Sequence, residues 1–355
     1  MMETVKQEIG SEFWTGSTPL DGCGVAALLP AEMQSIYTLC GRTALELAVR
    51  DAMPVASAYL PSYCCHTMIE PFVAKGIRVT FYDVFFTDTG IDWAFDENHD
   101  CDLVFLMDYF GFRNKKTMAL AASQKAKGKT VIYDATHSMF CKGMDYSACD
   151  YVFGSFRKWF GVNAGFCAKR GIWNSVLELT QNTGYVTTRN TAFEDKRKFM
   201  SGEPVEKDVF LQAFSQAEES LETDYVGYAP DAKSLETLKN VNVEFVRQKR
   251  REHAAFAIEA INGMDSELVR SPYPGVGEEE CPLFVPLQVS PEKRLEFRRT
   301  LIGQRVYMPI HWPLSDLHQT NELSRRIYDT ELSFVCDQRY SMEDMKRTME
   351  VIRSF

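Results

Sequence analysis

Residues 131–170 read VIYDATHSMFCKGMDYSACDYVFGSFRKWFGVNAGFCAKR, and two short apolar runs in this stretch decide the fold. The first, Thr130 to Tyr133, is β-branched and apolar, the pattern of a strand buried on both faces of a parallel sheet, and it ends on Asp134. The second, Asp150 to Phe153, leads to Gly154, Ser155 and then Lys158. In open α/β sheets, ligands bind in the crevice beyond the carboxyl ends of the strands. A carboxylate and an amine at two such ends are a candidate functional pair.

Upstream, the same alternation continues. Ile36 to Cys40 predicts a strand end, and Arg42 to Met53 a helix with Ala44, Leu45, Ala48, Val49 and Ala52 on one face, stopped by Pro54. Ala58 to Leu60 predicts a strand and Cys65 to Lys75 a helix closed by Gly76. Strands follow at Arg78 to Val84 and Leu103 to Met107, with a surface helix at Lys115 to Lys127 and one more strand at Phe166 to Lys169. Strands alternating with helices predict an α/β fold with a mostly parallel sheet covered on both faces.

Downstream the texture changes. Gly171 to Leu177 leads into helical sequence, whereas Asn182 to Pro204 is polar and aperiodic and predicts a long loop of the functional kind. Val205 to Glu222 is helical, and Asp231 to Ile261 predicts one long helix. Leu283 to Val289 and Val306 to Pro309 predict strands, Pro291 to Leu301 a helix, and Ser341 with Asp344 a capping box opening a last helix. The expected organisation is an irregular arm over 1–34, a large domain over 35–230, a connecting helix over 231–265 and a smaller α/β domain over 266–355.

Composition bounds the function. A net charge of -10 and a pI near 5.3 argue against a nucleic-acid or anionic-membrane surface. No window approaches the roughly 20 apolar residues of a membrane helix, and the start lacks an export signal, so a cytoplasmic protein is expected. The ten cysteines lack paired CxxC spacing, which predicts reduced core thiols and neither a metal site nor a disulfide framework.

Three motif readings compete around the central stretch. Ser155 to Lys158 matches the S-x-x-K of serine β-lactamases, but no S-D-N or K-T-G follows. Gly128, Lys129 and Thr130 resemble the end of a Walker loop, but position 123 is Ser where Gly is required and the tripeptide precedes a strand. The third reading joins more residues. Lys158 would form a Schiff base with pyridoxal 5'-phosphate, and Asp134 would pair with the protonated ring nitrogen. Gly41, Arg42 and Thr43, at a strand-to-helix turn, would offer a helix N-terminus to the phosphate, with Ser155 donating another hydrogen bond.

The chain also resembles a known family. CGRTALELA (40–48), LPSYCCHTMIEPFVAKGIRVTFYDV (60–84), MDYFGF (107–112), YDATHS (133–138), GSFRKWF (154–160), PIHWP (309–313) and DQRYSMEDM (337–345) are similar in order and spacing to the DegT-type aminotransferases. These are pyridoxal-phosphate enzymes of fold type I, many of which aminate keto sugars carried on nucleotides. The resemblance implies Lys158 as the Schiff-base lysine, Asp134 as the partner of the pyridine nitrogen, and His137 as a contact of the ring hydroxyl. It places Arg42 and Thr43 on the phosphate-binding turn and Ser155 at a phosphate-binding serine. Where the family stacks an aromatic on the ring this chain has Cys65, with Tyr63 and His66 as alternative covers.

There are departures. The sugar-modifying members have Ser-Phe-His with two more residues before the lysine and Gly-Glu-Gly-Gly after it, whereas this chain has Arg157 directly before Lys158 and Asn163, Ala164 and Gly165 afterwards. That marks a divergent branch and leaves a nucleotide-linked keto sugar as one candidate acceptor among others. His311 and Arg339 are candidate substrate contacts, Arg339 as a bidentate partner of a donor carboxylate. The expected function is an aminotransferase working as a homodimer, moving an amino group from an amino acid, with glutamate first among donors, to a keto acceptor. Rival readings are another reaction on the same cofactor, a dehydration or lyase step, and a cofactor-binding sensor without turnover.

Overall fold

A computed structural model of the protein describes residues 8–174 and 178–355. Residues 1–7 of the expected arm and residues 175–177, at the end of the expected helical lead-in from Gly171, lie outside them. The arm contributes β1 (Ile9–Gly10). β2 (Gln34–Thr38), β3 (Ser57–Pro61), β4 (Arg78–Thr87), β5 (Gly90–Ala94), β6 (Leu103–Met107), β7 (Thr130–Asp134), β8 (Tyr151–Ser155) and β9 (Gly165–Lys169) build one eight-stranded sheet. Its order is β2-β9-β8-β7-β6-β3-β4-β5. The five central strands, β8-β7-β6-β3-β4, are parallel. β3, β6 and β8 are buried at every position, as the α/β reading requires of strands covered on both faces.

Topology sets the site. β7 and β8 are parallel neighbours, so Asp134 and Ser155 close the same edge of the sheet. β9 runs antiparallel to β8, and β2 antiparallel to β9, so β2 points the same way as β8. Its carboxyl end therefore delivers α1 (Gly41–Ala52) to that edge as well. α2 (His66–Ala74) follows β3 there, and α3 (Thr117–Ala126) lies against β6 and β7.

α4 (Thr183–Met200) replaces the long loop expected over Asn182 to Pro204. Its buried residues are Tyr185, Arg189, Ala192, Phe193 and Lys196, one helical face. Two of those five are cationic, so the stripe does not read as apolar. α5 (Lys207–Ser220) packs against it. The single helix expected from Asp231 is two, α6 (Ala232–Asn240) and α7 (Val243–Asn262). Val241 is extended, and the Asn242 side chain accepts the Phe245 N–H at 2.9 Å as a new N-cap.

Two short parallel bridges join distant segments: β10 (Thr180–Gln181) with β11 (Tyr228–Ala229), and β1 with a strand introduced below. β12 (Val269–Arg270) and β13 (Val285–Val289) begin a second, antiparallel sheet. After α8 (Pro291–Gly303) comes β14 (Val306–Tyr307), the partner of β1, and then α9 (Glu322–Thr330). β15 (Glu331–Phe334) completes the second sheet beside β13, and α10 (Met342–Arg353) opens on the capping box of Ser341 and Asp344. β5, α9 and β15 carry too few periodic residues to be read in advance. One apolar core runs from Ile9 through both sheets to Ile352. No helix among the described residues is long and apolar enough to cross a membrane.

Candidate active site

Asp134 is fully buried at the end of β7. Its Oδ1 accepts the Thr136 N–H at 2.7 Å, while Oδ2 has no hydrogen-bond partner. Burial pushes its carboxyl up to about 6, against the pull of the Thr136 hydrogen bonds. Lys158 closes the single 3-10 turn, Phe156–Lys158, that follows β8, and its side chain is exposed. Both line a cavity of about 240 Å³ together with Gly41, Ser155, Cys65 and His137.

Gly41 is the first residue of α1, and its N-cap, Cys40, makes no side-chain capping bond. The first-turn N–H groups therefore lack a side-chain acceptor at the cap. A Cβ on Gly41 would lie 2.9 Å from the Ser155 Cβ, so only glycine lets the helix start approach this serine. Ser155 itself is held by its N–H on the Thr136 hydroxyl at 3.2 Å. The Arg42 guanidinium also lines the cavity but is engaged by the Leu221 carbonyl and by Glu222 at 3.1 Å. Thr43 lies in the first turn of α1. Its hydroxyl is buried and donates to the Tyr225 carbonyl at 2.6 Å, so only its backbone belongs to the helix start.

His137 is buried, and its Nδ1 accepts the Phe110 N–H at 3.0 Å, which leaves the ring proton on Nε2. Burial, with His311 and Lys158 nearby, holds its pKa well below the usual histidine range, so the ring is a neutral donor. It lies near-parallel to Trp312 at 5.6 Å between centroids. Cys65 sits at the N-cap of α2 and lines the cavity, as does His66. Burial works to raise the Cys65 thiol, but hydrogen bonds from His66 and Thr67 outweigh it and the net shift is downward. His66, Glu70 and Glu222 gather beside Arg42. Tyr63 corrects an expectation: it is fully buried off the cavity, hydrogen-bonded to the His311 carbonyl and packed on Tyr109, Trp312 and Tyr328.

A second cavity of about 370 Å³ shares Arg157, Lys158 and His311 with the first. His311 is held from behind. Ser333 donates its hydroxyl proton to Glu331, so at 2.8 Å it accepts from His311 Nδ1–H. The His311 backbone N–H also reaches Glu331 at 2.7 Å. The Nε2 lone pair is thus left free of hydrogen bonds among the described residues. Glu331 and Ser333, alternate residues of β15, are fully buried, and a carboxylate inside ELSFV was the available signal for them. Arg339 is a second correction. Its fork is closed on Asp337 at 2.8 and 2.7 Å and its remaining nitrogen on the Glu12 carbonyl at 2.8 Å, so it ties the arm down and offers no free face to a carboxylate.

No family model and no curated protein matches the chain. Solved structures do. The sugar aminotransferase CalS13 from Micromonospora echinospora superposes with a TM-score of 0.61 at 15% identity, covering 95% of this chain and 99% of that one. Helicobacter pylori PseC, an aminotransferase involved in the biosynthesis of pseudoaminic acid, gives 0.63 at 12% identity over 98% and 99%. NtdA from Bacillus subtilis, solved with the cofactor PMP, gives 0.61 at 13% over 90% and 72%. The fold of this chain is that of the fold type I pyridoxal-phosphate aminotransferases.

Proposed function

We propose that the protein is a pyridoxal-phosphate-dependent aminotransferase that moves an amino group from an amino acid, glutamate first among donors, to a keto acceptor. The observation that carries this reading is the buried, unpartnered Oδ2 of Asp134 in one cavity with the exposed amine of Lys158. An orphan carboxylate oxygen is costly unless a charged partner meets it. A protonated ring nitrogen is such a partner. The neutral Nε2–H of His137 suits a ring hydroxyl, and the uncapped start of α1 beside Ser155 suits a phosphate.

When bound, the cofactor supplies the electron sink for charge left at the substrate carbon. The fully buried Asp134 would hold the protonated ring nitrogen through a charge-assisted hydrogen bond. Lys158 Nζ would hold the cofactor and, as a free amine, would take and return the proton at the substrate carbon, work worth about 10²–10⁴ in rate. The reading includes a homodimer, which sedimentation of the purified protein tests. The half-reaction tests the chemistry: glutamate mixed with loaded protein should yield one 2-oxoglutarate per bound cofactor. Absence of any keto acid from any amino acid would remove the aminotransferase reading.

A further inference from the structure

The cavity on the far side of Lys158 carries an excess of positive charge. Arg157, Lys158, Arg189, Arg250, Arg298 and Arg339 line it against Glu12 and Asp337. Several of these cations are already answered. Arg339 is closed on Asp337, Arg189 is paired with Glu12 at 3.1 Å and Glu218 at 2.6 Å, and Arg157 shares Glu218. Burial would raise the Glu12 carboxyl, but Arg189, Arg157, Lys158 and Lys196 outweigh it and hold the group at about 2, so the arm side stays anionic.

Arg250 and Arg298 are different. Arg250 is buried, spends Nε on Gln338 at 2.8 Å and Nη1 on the Leu283 carbonyl at 2.8 Å, and lies over Trp159 at 4.4 Å. Arg298, on α8, spends only Nε, on the Met308 carbonyl at 3.2 Å. Among the described residues neither has a carboxylate within ion-pair distance. Holding Nε fixes the guanidinium plane and leaves the two terminal nitrogens of Arg298 pointing as a fork. A fork of this kind matches a carboxylate in bidentate fashion. Phe13, Leu283, Phe284, Met308 and Val335 give the same cavity an apolar lining suited to a short carbon chain. Its volume is that of a small-molecule site.

We propose that this cavity is the substrate side of Lys158 and selects a small acidic amino or keto acid, its distal carboxylate gripped by Arg298 with Arg250 behind it. The proposal rests on the aminotransferase reading for the role of Lys158, but the binding claim stands separately. It replaces Arg339 as the carboxylate partner and makes a dicarboxylic acid, not a nucleotide-linked sugar, the ligand of this cavity.

Calorimetric titration of the full-length protein with glutarate, its neutral diamide glutaramide and uridine diphosphate tests it. Glutarate should bind at least about tenfold tighter than glutaramide, the effect of one charge-assisted bidentate contact. Arg298→Gln should erase most of that preference, Arg298→Lys should keep part of it, and Arg299→Gln, an exposed neighbour on α8, should leave it intact. Equal binding of glutarate and glutaramide, an unchanged preference in Arg298→Gln or tighter binding of uridine diphosphate than of glutarate would overturn the proposal. Covalent fixation of the cofactor on Lys158 reads the function separately. Fixation without an Arg298-dependent preference sinks only this inference, and the preference without fixation sinks only the aminotransferase reading.

Discussion

At the scale of single residues, Asp134 couples stability to function. Its carboxyl titrates near 6 in the native cofactor-free protein and near 3.9 in the unfolded chain. Between those values the native state holds a proton that the unfolded state has released, so stability falls as pH rises from about 4 to about 6 and is level above. The loss is on the order of 3 kcal/mol. Asp108, buried and likewise raised to about 6, adds a similar slope. Asp134→Asn should therefore flatten part of the pH dependence in urea melts of cofactor-free protein and make the variant at least as stable as wild type at pH 7. Pyridoxal phosphate should then stabilise wild type far more than the variant. An unchanged slope between pH 4 and 6 would contradict the orphan-carboxylate account. A second residue-scale expectation concerns His311. Ser333→Ala removes the acceptor that fixes its Nδ1–H, so turnover should fall about tenfold with a shifted pH profile, and Ser333→Thr should restore both. An unmoved profile would make Ser333 a packing residue only. Asp134 was legible because it ends an apolar run, and Lys158 because it follows one after a short turn. Tyr63 and Arg339 were misassigned because a motif gives the order of side chains but not the backbone oxygen that claims a hydroxyl or a guanidinium.

At the scale of elements, the site is a meeting of strand ends held by close backbone approach. A Cβ on Gly165 would lie 2.6 Å from the Cys40 carbonyl carbon and 2.8 Å from the Gly154 carbonyl oxygen, so β9 enters the sheet where only hydrogen fits. At Gly41 the obstacle is the Ser155 Cβ at 2.9 Å, which moves only with the backbone of β8 or by a shift of α1. Gly41→Ala should fold with a loss of about 1–3 kcal/mol while weakening pyridoxal phosphate binding, because α1 is pushed off the serine. Thermal melts and equilibrium dialysis would show it, and unchanged cofactor affinity would detach the start of α1 from the phosphate. The parallel strands were readable because both faces are buried and the runs are apolar throughout. α4 was not, because its hidden face carries Arg189 and Lys196, whose partners are Glu218 on α5 and, 177 and 184 residues away in the chain, the Glu12 carboxylate and carbonyl. Neither cation has a local signal of being buried.

At the scale of the whole molecule, the arm and the second sheet turn one strand-edge crevice into two cavities. β1 pairs with β14, Arg339 fastens the arm at Ser11 and Glu12, and His311 is delivered from the second sheet's side to the flank of Lys158. None of this long-range closure is written in local periodicity, although PIHWP and DQRY mark where it happens. The departures beside the lysine now have places. Arg157 lines both cavities, and Asn163 is buried against Asn190 and Asp231, outside the lining of the cavity that holds Asp134. The proposed chemistry requires that Lys158 reach a cofactor anchored by Asp134. Borohydride reduction of protein incubated with pyridoxal phosphate, followed by peptide mass mapping, tests that most directly. The account predicts a phosphopyridoxyl mass on the peptide carrying Lys158, absent in Lys158→Ala and much reduced in Asp134→Ala; label on other lysines only, or none, would contradict it.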